Sequence, residues 1–320
     1  MTQAQADKVK PKATRQAFGE ALLELGGKYL DVVVLDADLS KSTKSELFAA
    51  KYPNRFFEMG IAEQNMIGTA AGLALSGKTA FCCSFACFVA GRFETIKISV
   101  AYSGANVKIV GTHAGVGIGE DGYSQMGLED LGLMRGLAGM QVFQPADDIE
   151  AAQIVDYMCR THGPMYMRLT RQNVPRVHAS DYKLQVGKLD VLAEGRDIAI
   201  FATGGTVAHA LGAREKLAGE GVDAAVVNVP TIKPMDAYGV QAWAARVPVI
   251  VTVEDHNVIG GMGTAIAEVV AEHGGGGARV RRHGIHDTFG ESGSPEALYE
   301  KFELDTAGIV KAVRGAIKKR

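Results

Sequence analysis

The segment FEMGIAEQNMIGTAAGLALSGKTAFCC, residues 57–83, contains one helix pattern followed by one strand pattern. Apolar and small residues recur along 62–75 as they do on a helix, and a short apolar run follows at 78–83. The same alternation of short β-branched runs with helical stretches continues along the rest of the chain. Such alternation predicts βαβ units and a mainly parallel sheet.

Strand and helix patterns extend on both sides of this segment up to residue 171. We predict strands at 31–35, 78–83, 107–110, 140–143 and 165–169, and helices near 13–25, 62–75, 86–101, 128–135 and 147–160. The polar stretch at 172–181 contains a proline and indicates a linker.

The alternation restarts after this linker. We predict strands at 197–202, 223–229, 247–253 and 279–281, helices near 205–217, 262–272 and 306–317, and a loop at the glycine run 274–277. The expected fold class is therefore α/β, with two domains that each contain a mainly parallel sheet flanked by helices. The predicted divisions are a flexible tail (1–12), a first domain (13–175), a linker (176–190) and a smaller second domain (191–320).

Composition excludes several classes of protein. The 320 residues suffice for two domains, and the net charge of -2 gives no electrostatic reason to expect binding to nucleic acid or to an anionic membrane. No apolar run is long enough to span a bilayer, and residues 1–8 lack the apolar core of a signal peptide. The four cysteines lack metal-ligand or disulfide spacing, which predicts small buried side chains in a reducing cytoplasm.

Glu63 is the residue of the opening segment that suggests chemistry. It places a carboxylate in an apolar, small-residue run at the start of the 62–75 helix. Burying such a carboxylate is costly unless something binds it, and burial would raise its pKa until it could hold a proton near neutrality. A second interpretation is a first-turn glutamate that complements the helix dipole, and these residues alone favour it.

A glycine-rich loop follows the strand at 107–110, and open α/β sheets bind ligands beyond the carboxyl ends of their strands. Its glycines allow positive φ angles and close approach to a ligand, and the loop presents His113, Asp121 and Gln125. As a nucleotide fingerprint the glycine spacing is weak, because no helix start follows. A structural histidine and a surface Asp-Gly turn are the alternative interpretations of His113 and Asp121.

Aromatic and basic residues lie at the ends of other predicted strands and helices. Phe85 and Phe88 are three positions apart after a strand, where a flat heteroaromatic ring could stack, although core packing is the more common role of such residues. The anion-competent residues at element ends are Arg15, Ser42, His113 and Arg171. Arg171 follows a strand directly, which suits capture of a phosphate.

Together these motifs resemble transketolase and occur in its order. The shared motifs are TR (14–15), DLSKS (38–42), GIAEQN (60–65), SFACF (84–88), TH (112–113), GEDGYSQ (119–125), LTRQN (169–173), TIKP (231–234) and TVEDH (252–256). The resemblance covers nearly the whole chain, but it corresponds only to the C-terminal half of a full-length transketolase.

The N-terminal half of transketolase, which this sequence does not resemble, is informative. Thiamine diphosphate enzymes bind Mg²⁺ and diphosphate with a Gly-Asp-Gly segment followed by an asparagine, and this sequence has no Gly-Asp-Gly. The resemblance therefore implies the pyrimidine-binding domain and the transketolase C-terminal domain of a split transketolase. It also implies an N-terminal-half partner subunit that binds the diphosphate and Mg²⁺, no metal ligand on this chain, and self-association into an α2β2 assembly.

The resemblance implies roles for individual residues. Glu63 would be the catalytic residue: it would contact N1′ of the aminopyrimidine and stabilise the imino tautomer, whose 4′-nitrogen removes the thiazolium C2 proton. The remaining cofactor contacts would be Phe85 and Phe88 around the pyrimidine ring, Gln125 near the amino group, and Asp38. The sugar-phosphate contacts would be Arg15, Ser42, His113 and Arg171, with Asp121 at a substrate hydroxyl.

Several alternatives remain open at this stage. The β subunit of a 2-oxo acid dehydrogenase also divides the thiamine fold between chains, but His113, Asp121, Ser42 and Arg171 would be superfluous for a small 2-oxo acid. A deoxyxylulose phosphate synthase and a non-catalytic scaffold subunit are further alternatives. The sugars are open as well, since a split transketolase could serve the pentose phosphate pathway or a specialised sugar-phosphate pathway.

Overall fold

The computed structural model describes residues 9–272 and 277–318, which form two β-sheets flanked by helices. Residues 1–8 of the predicted tail and residues 274–276 of the predicted glycine loop lie outside the described residues. Lys12, at the end of the predicted tail, pairs with Val174 through two main-chain hydrogen bonds of 3.1 and 3.2 Å.

The strands alternate with helices as the sequence predicts. In chain order the described strands are β1 (Val32–Asp36), β2 (Phe56–Glu58), β3 (Thr79–Phe85), β4 (Val107–Thr112), β5 (Gln141–Phe143), β6 (Met165–Arg168), β7 (Asp190–Ala193), β8 (Ile198–Ala202), β9 (Ala224–Asn228), β10 (Thr231–Lys233), β11 (Val249–Asn257) and β12 (Arg279–Ile285). The described α-helices are α1 (Thr14–Lys28), α2 (Ser40–Thr43), α3 (Glu46–Lys51), α4 (Glu63–Leu75), α5 (Ala86–Ala90), α6 (Phe93–Thr95), α7 (Asp130–Arg135), α8 (Asp148–Arg160), α9 (Thr206–Ala218), α10 (Ala237–Arg246), α11 (Met262–Glu272), α12 (Pro295–Lys301) and α13 (Thr306–Ile317).

The first sheet has seven strands in the order β10-β5-β6-β4-β3-β1-β2. All neighbouring pairs are parallel except β10 with β5. The second sheet has the order β12-β11-β8-β9-β7, and β7 is its antiparallel member. The predicted fold class, two mainly parallel sheets flanked by helices, is confirmed.

Helices cover both faces of the first sheet, which explains why its central strands β1, β3 and β4 are buried throughout and mostly apolar. Successive strand residues point to opposite faces: Val33 and Leu35 pack with α4, whereas Val32 and Val34 pack with α1 and α8. The predicted helix over 86–101 is interrupted, because the chain turns after α5, forms one turn in α6 and continues as a π-helix over 96–102.

Strand β10 links the two halves of the chain. It belongs to the second half by sequence, yet Thr231 and Lys233 pair with Phe143 and Val142 at the edge of the first sheet. The Lys233 ammonium also donates to the main-chain carbonyls of Arg135 and Leu137. The two halves of the chain are therefore joined by main-chain pairing as well as by side-chain packing.

The four cysteines are free thiols. Cys82, Cys83 and Cys159 are buried, as predicted, and Cys87 is half-buried. Burial raises the pKa of Cys87 and of Cys159 to about 12, so these thiols stay protonated and unreactive at neutral pH.

A buried histidine, His178, fastens the linker to both halves. Its Nδ1 lies 2.9 Å from Asp147 at the start of α8, and its Nε2 lies 2.9 Å from Asp190 in β7. Burial alone lowers the pKa of His178, but the bonds to Asp147 and Asp190 and the charge of Glu150 outweigh burial and raise the pKa to about 10. At neutral pH His178 is therefore an imidazolium that donates to a carboxylate on each side.

We expect His178→Gln to destabilise the chain most at low pH. The pKa of His178 is higher in the folded state than its unfolded value of about 6.5, so its protonation stabilises the fold fully below pH 6.5. This stabilisation is lost as the pH rises towards 10. Chemical unfolding should show a loss of about 3 kcal/mol at pH 6 that shrinks by pH 10. The control is His162→Gln, because His162 is exposed. An equal loss of unfolding free energy for His178→Gln at both pH values would contradict the prediction.

No helix among residues 9–272 and 277–318 combines the length and the apolar character that crossing a membrane requires.

Candidate active site

The carboxyl ends of four adjacent parallel strands meet at one edge of the first sheet. Strands β1, β3, β4 and β6 end there at Asp36, Phe85, Thr112 and Arg168. The loops that follow carry most of the predicted site residues, so this edge is the place to look for a ligand site.

Glu63 is the first residue of α4, and only 7% of its surface is exposed. The hydroxyl of the fully buried Ser84 donates to its Oε1 at 3.1 Å. Its Oε2 accepts no hydrogen bond from any other described residue. The Glu63 carboxyl is therefore almost fully buried, with one oxygen hydrogen-bonded and the other available. Such a carboxyl can bind a polar atom of a ligand and exchange a proton with it.

Three rings stack at the end of β3. Phe85 ends β3, directly after Ser84, and its ring lies parallel to that of Phe88 with 5.5 Å between the centroids. The His113 ring stacks on Phe85 at 3.8 Å. Phe85 belongs to the strand end rather than to the helix, so the two phenylalanines meet across the strand–helix junction. The stack offers an apolar wall suited to a flat heteroaromatic ring.

His113 is held in one tautomer. Its Nε2 lies 3.0 Å from Arg15 Nη1, and because a guanidinium only donates, Nε2 accepts. The ring proton is then on Nδ1, which donates to Thr112 Oγ1 at 2.8 Å. Burial, followed by the charges of Arg15 and Arg171, lowers the pKa of His113 to about 3. His113 is therefore neutral at physiological pH.

Two guanidinium groups converge beside His113. Arg15 Nη1 also donates to the Ser42 carbonyl at 2.6 Å, while its buried Nε has no hydrogen-bond partner among the described residues. Burial and the charge of Arg171 lower the pKa of Arg15, and the charge of Asp121 partly opposes them. Arg171 donates to the Ile118 carbonyl at 2.9 Å. Arg171 also pairs with Glu120 at 3.4 Å, but two partly buried guanidinium groups that repel each other still favour an anionic ligand.

A buried aspartate shapes the turn that carries Ser42. Asp36 accepts from the Leu39 amide at 2.7 Å and from the hydroxyls of Thr43 and Ser45 at 2.6 and 2.8 Å. Burial raises its pKa to about 6. This network fixes the chain so that the Ser42 carbonyl, not its hydroxyl, meets Arg15.

Glu58 fixes the backbone around Asp38. Its Oε1 accepts from the amides of Asp38 at 2.7 Å and Gly60 at 3.2 Å. Asp38 itself is exposed and has a positive φ of 60°.

The structure thus brings together most of the predicted residues. Arg15, Ser42, His113 and Arg171 form one cluster, and Phe85 and Phe88 adjoin it through His113. Asp121 acts on Arg15 through its charge, whereas the described residues contain no hydrogen bond between this cluster and the side chain of Asp38 or Gln125. Four supporting residues were given no role from the sequence, and the signal that they share is a polar residue at the end of an apolar run: Ser84, Asp36, Glu58 and Thr112.

Two family models match the chain. The transketolase pyrimidine binding domain matches residues 10–177, and the transketolase C-terminal domain matches residues 187–309. Together they cover both sheets.

Individual relatives match over nearly the full length. The putative transketolase C-terminal section of Methanocaldococcus jannaschii is 43% identical over 96% of this chain and 97% of its own length. The 6-deoxy-6-sulfo-D-fructose transketolase subunit SqwH of Clostridium sp. is 39% identical over 96% and 95%. A solved structure of a split gene transketolase, described as an inactive beta4 tetramer, is 44% identical, with a TM-score of 0.87 over 97% of this chain and 99% of that one.

Proposed function

The chain belongs to the transketolase family, and we propose that it transfers a two-carbon ketol unit from a ketose phosphate to an aldose phosphate together with a separate partner subunit. In this assignment the chain contributes the pyrimidine end of a thiamine diphosphate site and the pocket for the substrate anion. Cytoplasmic location remains a prediction from the sequence.

The observation that carries this proposal is the position of His113. One face of its ring stacks on Phe85, and its Nε2 contacts Arg15 at 3.0 Å. A wall for a flat heteroaromatic ring and a pocket for an anion are thus separated by one side chain. Ketol transfer between sugar phosphates requires such an arrangement, because the substrate phosphate must be held while its carbonyl end meets the cofactor.

The residues fit the pyrimidine end of thiamine diphosphate, which supplies carbanion stabilisation when bound. The available oxygen of Glu63 would bind a ring nitrogen and hold or release a proton there. Phe85 and Phe88 would pack against the ring and exclude water from it. Gln125 and Asp38 remain proposed cofactor contacts on the basis of the family resemblance.

The relatives support a divided enzyme. One carries a name that describes a C-terminal section, another is called a subunit, and the similar split gene structure is an inactive beta4 tetramer. We propose that the diphosphate and Mg²⁺ are bound by an N-terminal-half subunit, and that the active assembly is α2β2.

A specialised sugar is the second candidate substrate. The Clostridium relative is a sulfofructose transketolase subunit, and a sulfonate, like a phosphate, is a tetrahedral anion that two arginines can bind. A 2-oxo acid fits less well, because its carboxylate is part of the reacting group and leaves the Arg15–Arg171 pocket without a ligand.

Substrate comparison with the reconstituted complex tests the assignment. The complex should transfer ketol units from ketose phosphates or a 6-sulfo ketose to an aldose phosphate. It should not oxidise 2-oxo acids in the presence of an artificial electron acceptor. Turnover of 2-oxo acids without ketol transfer would overturn the proposal.

Arg171→Ala should weaken binding of phosphorylated sugars selectively. The loss of one charge-assisted contact should raise KM for a phosphorylated substrate by roughly 10- to 100-fold and leave KM for the free sugar nearly unchanged. Arg15→Ala should behave in the same way. Steady-state kinetics with matched phosphorylated and free sugars measure both values.

Arg160→Ala is the matched control, since Arg160 is an exposed arginine that pairs with Asp156 on α8. It should change neither KM. Equal losses for Arg171→Ala on both substrate types would assign the arginine a structural role.

A further inference from the structure

A carboxylate of the second sheet reaches into the glycine loop of the candidate active site. Asp255 lies in β11, within the TVEDH motif, and only 3% of its surface is exposed. Its Oδ1 accepts from the Val116 amide at 2.8 Å, and its Oδ2 lies 3.4 Å from the Gly117 amide. Val116 and Gly117 lie in this loop three and four positions after His113.

A second contact holds the segment that carries Arg171. Tyr299 of α12 donates to Asp255 Oδ2 at 3.0 Å and accepts from Gln172 Nε2 at 3.1 Å. Gln172 directly follows Arg171, and Arg171 donates to the Ile118 carbonyl of the same loop. The two chain segments that present the anion-binding side chains are thus joined through Asp255 and Tyr299.

The close approach requires glycine in the loop. A Cβ at Gly115, where φ is +82°, would lie 2.1 Å from Asp255 Oδ2, and a Cβ at Gly117 would lie 2.1 Å from Gln172 Nε2. The main chain at Asp255 is also fixed, because Arg168 Nη2 donates to its carbonyl at 2.8 Å. The loop backbone therefore packs directly against the side chains of Asp255 and Gln172, with no side chain of Gly115 or Gly117 between them.

We propose that Asp255 and Tyr299 are positioning residues, through which the second sheet sets the places of His113 and Arg171 in the substrate-anion pocket. The kinetic part of this proposal rests on the proposed function. Neither residue touches the pocket itself. Each acts through the loop at 115–118 or through Gln172, so the C-terminal domain controls how well the pocket is assembled.

Hydrogen exchange in the full chain tests the positioning role without any activity. Asp255→Asn preserves the size of the side chain but replaces one of its two accepting oxygens by a donor group. Tyr299→Phe removes only the hydroxyl. Both variants should exchange the amides of Val116 and Gly117 at least about tenfold faster, while protection of β8 stays unchanged.

Kinetics of the complex with the partner subunit give the second measurement. Both variants should raise KM for a phosphorylated sugar by about tenfold and change KM for the free sugar little. Asp190→Asn is the matched control, because Asp190 also joins parts of the chain through a buried contact, to His178, but does not touch the loop. It should leave loop exchange and both KM values at the wild-type level.

Wild-type exchange of the loop amides in Asp255→Asn would overturn the proposal. So would equal loss of protection in the loop and in β8, which would indicate general destabilisation. If the wild-type complex showed no ketol transfer, the proposed function would fail, whereas the exchange experiment would still decide whether Asp255 and Tyr299 position the loop.

Discussion

A Glu63→Gln variant, assembled with its partner subunit, is expected to lose ketol transfer by at least about a hundredfold. Glutamine keeps the size of the side chain, and its carbonyl oxygen can still accept from Ser84. It cannot hold or release a proton at the ring nitrogen of the cofactor. Steady-state turnover measures the loss, and thermal unfolding with circular dichroism shows whether the fold is retained.

Glu46→Gln distinguishes this role from a helix-dipole effect. Glu46 is likewise the first residue of a helix, α3, but its side chain is 37% exposed and pairs with Lys44. If Glu63 only complemented the helix dipole, the two variants would have similar small effects on stability and none on turnover. Substantial ketol transfer by a folded Glu63→Gln complex would exclude the catalytic assignment.

The fold was predictable where burial on both sides made a strand continuously apolar. The run at 31–35 lies within one residue of β1, and the run at 107–110 lies within β4, because both strands are covered by helices on each face. Alternation with helices then indicated parallel pairing. These features depend on local sequence and on burial, and the pattern of apolar residues along the chain reflects both.

Elements defined by distant contacts were not predictable. Strand β10 has three residues, and its place beside β5 in the first sheet depends on pairing between segments almost 90 positions apart. Strand β7 and helices α10 and α12 were not predicted either. Helix α5 ends before Gly91, and residues on both sides of the break, Val89 and Ile96, pack in one cluster with α4.

The candidate active site was likewise predictable only in part. Residues at strand ends, such as Phe85 and Arg171, could be selected because parallel strands bring their carboxyl ends to one edge. The sequence could not show that Ser42 meets Arg15 through its carbonyl, since Asp36 sets that geometry. Nor could it show that Asp255, some 140 positions from the glycine loop, lies beneath it.

The chain alone is expected to show no turnover of any ketose phosphate, even with excess thiamine diphosphate and Mg²⁺. The sequence has no Gly-Asp-Gly segment for the diphosphate end of the site. Within the described part of the chain, the group of residues able to hold a metal ion is Glu150, His178 and Asp190. It lies at the linker, where both ring nitrogens of His178 already contact carboxylates.

Mixing with the partner subunit should raise turnover from background by orders of magnitude, because positioning of both cofactor ends is then complete. Calorimetric titration should give two cofactor sites per α2β2 assembly, and Glu63→Gln chains should assemble equally well but remain inactive. Comparing wild-type with Glu63→Gln chains in the same assembly therefore separates failure of assembly from failure of proton transfer. Robust ketol transfer by the purified chain, shown by mass spectrometry to be free of a partner, would refute the divided active site.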